Sequence, residues 1–179
     1  GVELSGSHNQ KEFHLLVYFP NEMPQGFKDF CTHRAQRRFE RYERARKMLG
    51  FDEIPEADNN ARKGHRSLTR LHLANAMVES GVVKSRAEAF DKYLANNPEL
   101  FPPVQLSFIE AIQQARLAGG VCSWAHPTWE QAQNHAETFR NAGLQGLEAI
   151  RPGVKKKARK RFIRLADSLG LFLSGGSDW

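Results

Sequence analysis

The stretch GGVCSWAHP, residues 119–127, gives the clearest indication of the fold. Two glycines precede a short apolar run over 121–125, and a histidine and a proline follow it. A short apolar run between residues that interrupt secondary structure is typical of a buried β-strand. We therefore predict a strand over 121–125 with His126 at its exit.

Helices and strands alternate from this stretch towards the C-terminus. Amphipathic periodicity predicts helices over 107–117, 129–142 and 154–169, and short apolar runs predict strands over 147–150 and 171–174. Such alternation is typical of α/β proteins with a parallel sheet. The pattern alone therefore indicates a mostly parallel α/β fold.

The N-terminal half begins with strands and continues with helices. The run FHLLVYF, residues 13–19, predicts a buried strand, and His8 in the preceding segment is interpreted as part of a loop. Helical patterns then cover 27–49, 69–80 and 86–94, with a polar loop over 52–67. We therefore predict a discontinuous α/β portion, residues 1–25 and 101–179, that carries an all-helical insert, residues 26–100.

Length and composition place the chain among globular proteins. It has 179 residues with a hydrophobic share of 40%, which suffices for a core. No apolar run approaches the ~18–20 residues that a membrane span needs, so we expect no membrane association. Two cysteines, Cys31 and Cys122, are too few for a disulfide framework, and we expect a cytoplasmic location.

Positive charge is concentrated in two segments. Residues 34–47 hold seven basic and two acidic residues, and residues 151–164 hold eight basic and no acidic residues, whereas the whole chain has a net charge of +6. The remainder is therefore acidic, and two basic helices on an acidic body indicate a polyanionic partner such as nucleic acid. A solvated helix face is an equally acceptable interpretation.

Potential metal ligands accompany the predicted strands. The segments GVELS, FHLLVYF, AHP and LFLSGGSD contain Glu3, His14, His126 and Asp178. In parallel α/β folds, functional side chains gather at the C-terminal ends of strands, and imidazole nitrogens and carboxylate oxygens bind zinc, manganese or iron. A histidine inside an apolar run, such as His14, is also compatible with a hydrogen-bonded core residue.

Six segments, taken in order, resemble the PHP family of metal-dependent phosphoesterases, named after polymerase and histidinol phosphatase. They are GVELS (1–5), FHLLVYF (13–19), TRLHLANAMVESGVVKSRAEAFDKYL (69–94), GGVCSWAHP (119–127), LQGLEAI (144–150) and SGGSDW (174–179). The resemblance is strongest to stand-alone members with a helical insert, which act on nucleotides and nucleic-acid ends. It implies a distorted TIM-like parallel barrel, of which this chain holds the later strands.

The resemblance also implies roles for individual residues. It implies a multinuclear site for divalent manganese, zinc or iron, with Glu3, His14, His126 and Asp178 as ligands. In the insert, TRLHL implies that Arg70 and His72 contact the substrate phosphate as catalytic residues, with Leu71 in place of the usual proline. Lys92 is a further candidate for phosphate binding, and a plain surface lysine fits it equally well.

Parts of the family pattern are absent from the sequence. The family opens with a His-x-His strand and a T-D-H motif, and its last motif ends in a histidine one residue beyond Trp179. We therefore expect the chain to be a fragment that lacks the His-x-His part and the final histidine. Alone, it is expected to show weak or no activity.

Three functions remain open at this point. The first is metal-dependent hydrolysis of phosphate esters in nucleotides or at nucleic-acid ends, which the insert and the basic segments favour. The second is a small-molecule phosphatase of the histidinol-phosphate type. The third is a non-catalytic basic module that binds nucleic acid. Hydrolysis requires metal and is therefore sensitive to chelators, whereas binding by a basic module depends on salt.

Overall fold

The computed structural model describes residues 1–50, 68–94, 99–102 and 105–177. In chain order the elements are β1 (Val2–His8), β2 (Lys11–Tyr18), α1 (Gln25–Met48), α2 (Arg70–Glu79), α3 (Arg86–Ala89), a π-helical turn (Phe90–Leu94), α4 (Phe108–Leu117), β3 (Val121–Trp124), α5 (Trp129–Asn141), β4 (Gly146–Ile150), α6 (Lys156–Leu169) and β5 (Phe172–Gly175). The chain divides into two compact units, the first comprising Gly1–Phe27 and Val104–Trp179 and the second Lys28–Pro103.

The first unit contains a five-stranded sheet in the order β1-β2-β3-β4-β5. The mixed α/β class is confirmed, and β3, β4 and β5 pair in parallel as their alternation with α5 and α6 predicted. The expectation of a parallel sheet is wrong for the other half, because β2 pairs antiparallel with both β1 and β3. Among the strands described here, β1 and β5 do not pair with each other, so the sheet is open rather than a closed barrel.

A tight turn accounts for the antiparallel start of the sheet. Asn9 and Gln10 both have positive φ, 48° and 63°, and His8 pairs with Lys11 across them. A two-residue turn with positive φ at both positions matches the right-handed twist of paired strands. The two strands that it joins must run antiparallel. The interpretation of His8 as a loop residue is therefore wrong, since it ends β1.

An aromatic cluster forms the centre of the first unit. Phe139 of α5 lies with its ring centroid 4.6 Å from that of Phe108, 4.9 Å from that of Trp124 and 5.5 Å from that of Phe13. All four side chains are almost fully buried. This cluster fills the space between one face of the sheet and its helices, and the His8 ring at the end of β1 packs against it, with its centroid 5.1 Å from the Phe139 centroid.

The second unit is helical in all its described elements and has its own core. The buried residues that form this core are Tyr42, Ala45, Leu68, Leu73, Ala74, Met77, Val83, Ala89, Leu94 and Leu100. Ser85 caps α3 by accepting a hydrogen bond from the Glu88 amide at 3.2 Å. None of the helices within the described ranges has the length and hydropathy that a membrane span requires.

Candidate metal centre

Three side chains of the first unit converge: Glu3, His14 and His126. One ligand-type atom of each lies within 4.8 Å of the other two. His14 Nδ1 lies 3.0 Å from Glu3 Oε1 and 2.9 Å from His126 Nε2, and His126 Nε2 lies 3.5 Å from Glu3 Oε1. The fold therefore brings together three of the four residues predicted as ligands, and the fourth, Asp178, lies outside the described residues.

Strand alternation places Glu3 and His14 on the same face of the sheet. In β2, Phe13 and Leu15 are buried on the aromatic side, so His14 between them points to the other side. Glu3 pairs with Leu16 and Ser5 pairs with His14, and directly paired residues share a face. The apolar run around His14 thus reflects the core side of β2 and leaves the histidine on the polar side.

His126 reaches the same place from the end of β3. The amide of Ala125 donates to the carbonyl of His14 at 2.9 Å, which holds the exit of β3 beside the middle of β2. His126 thus follows the C-terminal end of a strand, as is usual for functional side chains of parallel sheets, whereas Glu3 and His14 lie within β1 and β2. Antiparallel pairing, which the periodicity did not reveal, makes a mid-strand residue and a strand-end residue neighbours.

The charges of this cluster are strongly coupled. Hydrogen bonds from His126 and from His14 hold the pKa of the Glu3 carboxyl at about 2. Hydrogen bonds to Glu12 and to Glu3 raise the pKa of His14 to about 9. At neutral pH, Glu3 is therefore ionised and His14 carries a proton shared among acceptors.

This donor set fits a divalent transition metal. Two imidazole nitrogens and one carboxylate oxygen are the ligand types that zinc, manganese and iron accept, and three protein ligands leave positions open for water or substrate. The side chains of Glu3, His14 and His126 are 45, 34 and 27% exposed, so an ion can enter from solvent. Without metal, the protonated His14 supplies positive charge between the Glu3 and Glu12 carboxylates. A bound metal ion would supply positive charge to Glu3 in the same place.

The predicted phosphate-binding residues lie in the second unit. Arg70 begins α2, its Nη1 lies 3.5 Å from the carbonyl of Leu94, and its guanidinium lies 5.7 Å from the centre of the Phe101 ring. His72 caps α2, since its Nδ1 accepts from the Thr69 amide at 3.1 Å. These contacts show structural roles, and phosphate binding by either residue stays a prediction.

Lys92, the third predicted phosphate-binding residue, pairs with Glu88 at 2.6 Å on an exposed helix surface. The two residues are one turn apart, a spacing that favours such pairs. The geometry matches the interpretation of Lys92 as a surface lysine, and a role in phosphate binding remains only a prediction.

Two residues that the sequence analysis did not select contact the loop of His126. Glu148 in β4 is buried, and its Oε2 accepts from the His126 amide at 2.8 Å. Arg151 donates from Nη2 to the carbonyls of His126, at 3.3 Å, and of Pro127, at 3.2 Å. The sequence did contain a signal for Glu148, since it is the one acidic residue within the apolar run of β4. A buried carboxylate requires a hydrogen-bond partner, so such a residue indicates a specific contact.

Curated proteins of similar sequence are bacterial hydrolases. The chain is 31% identical over 187 aligned positions to the 5'-3' exoribonuclease Rnm of Escherichia coli, covering 100% of this chain and 64% of that protein. It is 28% identical over 187 positions to the 5'-3' exoribonuclease of Haemophilus influenzae, covering all of this chain and 68% of that protein. It is 31% identical over 118 positions to the 3',5'-nucleoside bisphosphate phosphatase of Chromobacterium violaceum, covering 63% of this chain and 41% of that protein. No family model matches the chain.

Two solved structures share the fold. One is a proposed metal-dependent phosphoesterase from Bifidobacterium adolescentis, with a TM-score of 0.70 and 25% identity over 99% of this chain and 66% of that chain. The other is an amidohydrolase from Chromobacterium violaceum, solved with bound sulfate and no metal, with a TM-score of 0.71, 25% identity and the same coverage of both chains. The chain thus spans about two thirds of the length of these structures and of the two exoribonucleases.

Proposed function

We propose that this chain is the later-strand portion of a PHP-family, metal-dependent phosphoesterase that hydrolyses phosphate esters of nucleotides or of nucleic-acid ends. The observation that carries this proposal is the convergence of Glu3, His14 and His126, three ligand-type side chains from β1, β2 and the loop after β3. The names of the similar proteins support the same class, since they include exoribonucleases, a nucleoside bisphosphate phosphatase and a proposed phosphoesterase. In the complete protein, further strands would close the sheet into the distorted barrel.

The residues of this chain would hold the metal and the substrate. Glu3, His14 and His126 would bind a divalent ion, with Asp178 as a further ligand in a multinuclear site. Such ions, when bound, activate water for attack on phosphorus and offset the charge that develops on the phosphoryl oxygens. Arg70, His72 and Lys92 would contact the substrate phosphate, as the family resemblance implies. The guanidinium of Arg70 and the ammonium of Lys92 are groups that bind phosphate oxygens.

A basic surface on α6 supports a nucleic-acid substrate. We define the α6 surface as Lys155, Lys156, Lys157, Arg159, Lys160, Arg161 and Arg164, all of which are exposed. No acidic residue interrupts it, and three lysines lie at the N-terminal end of the helix, where the helix dipole disfavours cations. A polyanion bound here would relieve that repulsion. The segment leading into α6 contains Arg151, which contacts the loop of His126.

The other basic helix, α1, uses part of its charge internally. Arg46 is 4% exposed and pairs with Glu43 at 3.0 Å, and Arg41 donates to the carbonyl of Pro102 at 3.1 Å. The α1 segment over 34–47 is therefore the weaker of the two candidates for nucleic-acid binding.

Replacing Lys156 and Lys160 together by glutamine is expected to weaken binding of a single-stranded oligonucleotide. Two lost phosphate contacts should reduce the slope of log affinity against log salt by about 1.4, since each contact contributes about 0.7 on single strands. Fluorescence anisotropy at several salt concentrations measures both quantities. The matched control replaces Lys11 and Lys84, exposed lysines outside both basic helices, by glutamine. Equal losses in the two double variants would contradict a role of the α6 surface.

Metal binding is expected to become tighter as pH rises. His14 has a pKa of about 9, and only the neutral imidazole binds a metal ion, so binding releases a proton at pH 7. Glu3, with its pKa of about 2, stays ionised throughout. Between about pH 6 and pH 8, the affinity should therefore rise about tenfold per pH unit. Calorimetry in buffers of different ionisation enthalpy counts the protons released, and an affinity that does not change with pH would contradict this reading of His14.

The proposed activity is tested by hydrolysis of p-nitrophenyl phosphate with added Mn²⁺, with and without chelator. Measurements on this chain and on a longer form that includes a His-x-His strand allow for weak activity in the chain alone. The proposal predicts hydrolysis that the chelator abolishes and that short oligonucleotides inhibit. Hydrolysis without inhibition by oligonucleotides would favour the small-molecule phosphatase, whereas chelator-independent binding of oligonucleotides without hydrolysis would favour the basic binding module.

A further inference from the structure

We infer that Glu148 is a positioning residue that fixes the backbone of His126, so that the imidazole meets Glu3 and His14. This inference rests on the proposed metal centre and adds to it a residue that would not bind the metal itself. The carboxylate is 4% exposed, and its Oε2 accepts from the His126 amide at 2.8 Å. A buried carboxylate is costly unless it is hydrogen-bonded, so this contact is both the partner of Glu148 and a constraint on His126.

The backbone of His126 needs such a constraint. Its φ is +35°, in the left-handed region that residues with a side chain rarely adopt. Residues held in this region persist only when the surrounding structure fixes them, and they concentrate at functional sites. The conformation turns the chain sharply after β3 and directs the imidazole towards β1 and β2.

Three neighbouring parts of the chain form hydrogen bonds to the backbone of this turn. The Ala125 amide donates to the His14 carbonyl in β2 at 2.9 Å, the His126 amide donates to Glu148 in β4, and the Arg151 guanidinium binds the carbonyls of His126 and Pro127. These contacts engage backbone atoms only and leave the imidazole of His126 free to face Glu3 and His14. Removing a group that orients a metal ligand in this way typically lowers metal affinity by about 10–100-fold.

Glycine at position 176 makes room for the carboxylate. A Cβ atom built on Gly176 would lie 2.6 Å from Glu148 Oε1, closer than real contacts allow. The chain after β5 therefore approaches the Oε1 atom of Glu148 closely. A side chain at position 176 would compete with Glu148 Oε1 for this space.

The test compares Glu148→Ala, Glu148→Gln and Glu148→Asp with the wild-type chain. Glutamine keeps an acceptor oxygen at the same distance from the backbone but lacks the charge. Aspartate keeps the charge, but its shorter side chain moves the acceptor oxygen away from the His126 amide. Ser123→Ala is the matched control, because Ser123 is buried on a neighbouring strand and bonds to Ser174 at 2.6 Å. Two quantities are measured: the chemical shift and hydrogen exchange of the His126 amide in metal-free protein by NMR, and the affinity for Zn²⁺ by calorimetry.

We expect Glu148→Ala to move the His126 amide upfield, to accelerate its exchange, and to weaken Zn²⁺ binding about 10–100-fold. Glu148→Gln should lie closer to wild type than Glu148→Asp in both measurements, and Ser123→Ala should match wild type. The positioning role is contradicted if Glu148→Ala keeps the wild-type amide signal and Zn²⁺ affinity, or if Ser123→Ala loses as much. If Glu148→Ala does not fold, the order of the glutamine and aspartate variants decides.

Failure of the metal centre would be recognised separately. A wild-type chain that binds no Zn²⁺ contradicts the proposed metal site. The amide signals of the same variants then still decide whether Glu148 holds the backbone of His126, because that measurement is made without metal.

Discussion

Replacing His126 by alanine is expected to lower the affinity of the chain for Zn²⁺ by on the order of a thousandfold. This loss exceeds the about 10–100-fold that is typical when a group that only orients a metal ligand is removed. The variant removes one of three converging ligand atoms, and its backbone amide can still donate to Glu148. The loop should therefore keep its course while the site loses a donor. Calorimetric titration of Zn²⁺ measures the loss, and circular dichroism verifies that the variant is folded.

The control for this prediction is His33→Ala. His33 is an exposed histidine of α1 that lies outside the cluster, so its removal should leave the Zn²⁺ affinity unchanged. If His126→Ala binds Zn²⁺ as tightly as wild type, the three residues do not form the site. If both variants lose affinity equally, the chain binds zinc through scattered surface histidines. In a form of the protein with phosphatase activity, His126→Ala should also abolish chelator-sensitive hydrolysis.

Replacing Phe139 by alanine is expected to destabilise the first unit by about 3–5 kcal/mol, the usual cost of deleting a fully buried aromatic side chain. Phe139 is fully buried, and its ring contacts those of Phe13, Phe108 and Trp124. Its removal leaves a cavity under β2 and β3, the strands that position His14 and His126. Since domains have roughly 5–15 kcal/mol of stability in total, this loss takes a large share of it.

Urea denaturation followed by tryptophan fluorescence measures this effect in the relevant unit, because all three tryptophans belong to the first unit. Glu137→Ala is the control, since Glu137 is exposed on the same helix. Phe139→Leu should lose less unfolding free energy than Phe139→Ala. It provides the measurement if the alanine variant does not fold. An alanine variant as stable as the control would mean that the aromatic cluster is not the core.

The alternation of β3, α5, β4, α6 and β5 could be predicted because its signals are local. Glycines, a proline and N-cap residues bound each element, and apolar runs of strand length lie between them. The start of the sheet could not be predicted in the same way. Glutamine is not a usual residue at positive φ, so Asn9 and Gln10 gave no clear turn signal, and the antiparallel hairpin remained hidden.

The candidate site could be predicted in part. Glu3, His14 and His126 were selected as ligand types and by resemblance, and the fold places them together. Glu148 was not selected because its role depends on strand register. The amide of His126, just beyond the end of β3, donates its hydrogen bond to the carboxylate that Glu148 presents from β4. Periodicity shows which face a residue occupies, and it does not show which backbone group that residue meets.

The central claim is that Glu3, His14 and His126 bind one divalent metal ion. Anomalous diffraction at the zinc edge, from crystals of this chain soaked in Zn²⁺, tests it most directly. The account predicts an anomalous peak among Glu3 Oε1, His14 Nδ1 and His126 Nε2, at about 2.0–2.2 Å from each coordinating atom. Zinc bound only elsewhere, or an ion pair of Glu3 and His14 that persists without metal in soaked crystals, would contradict it.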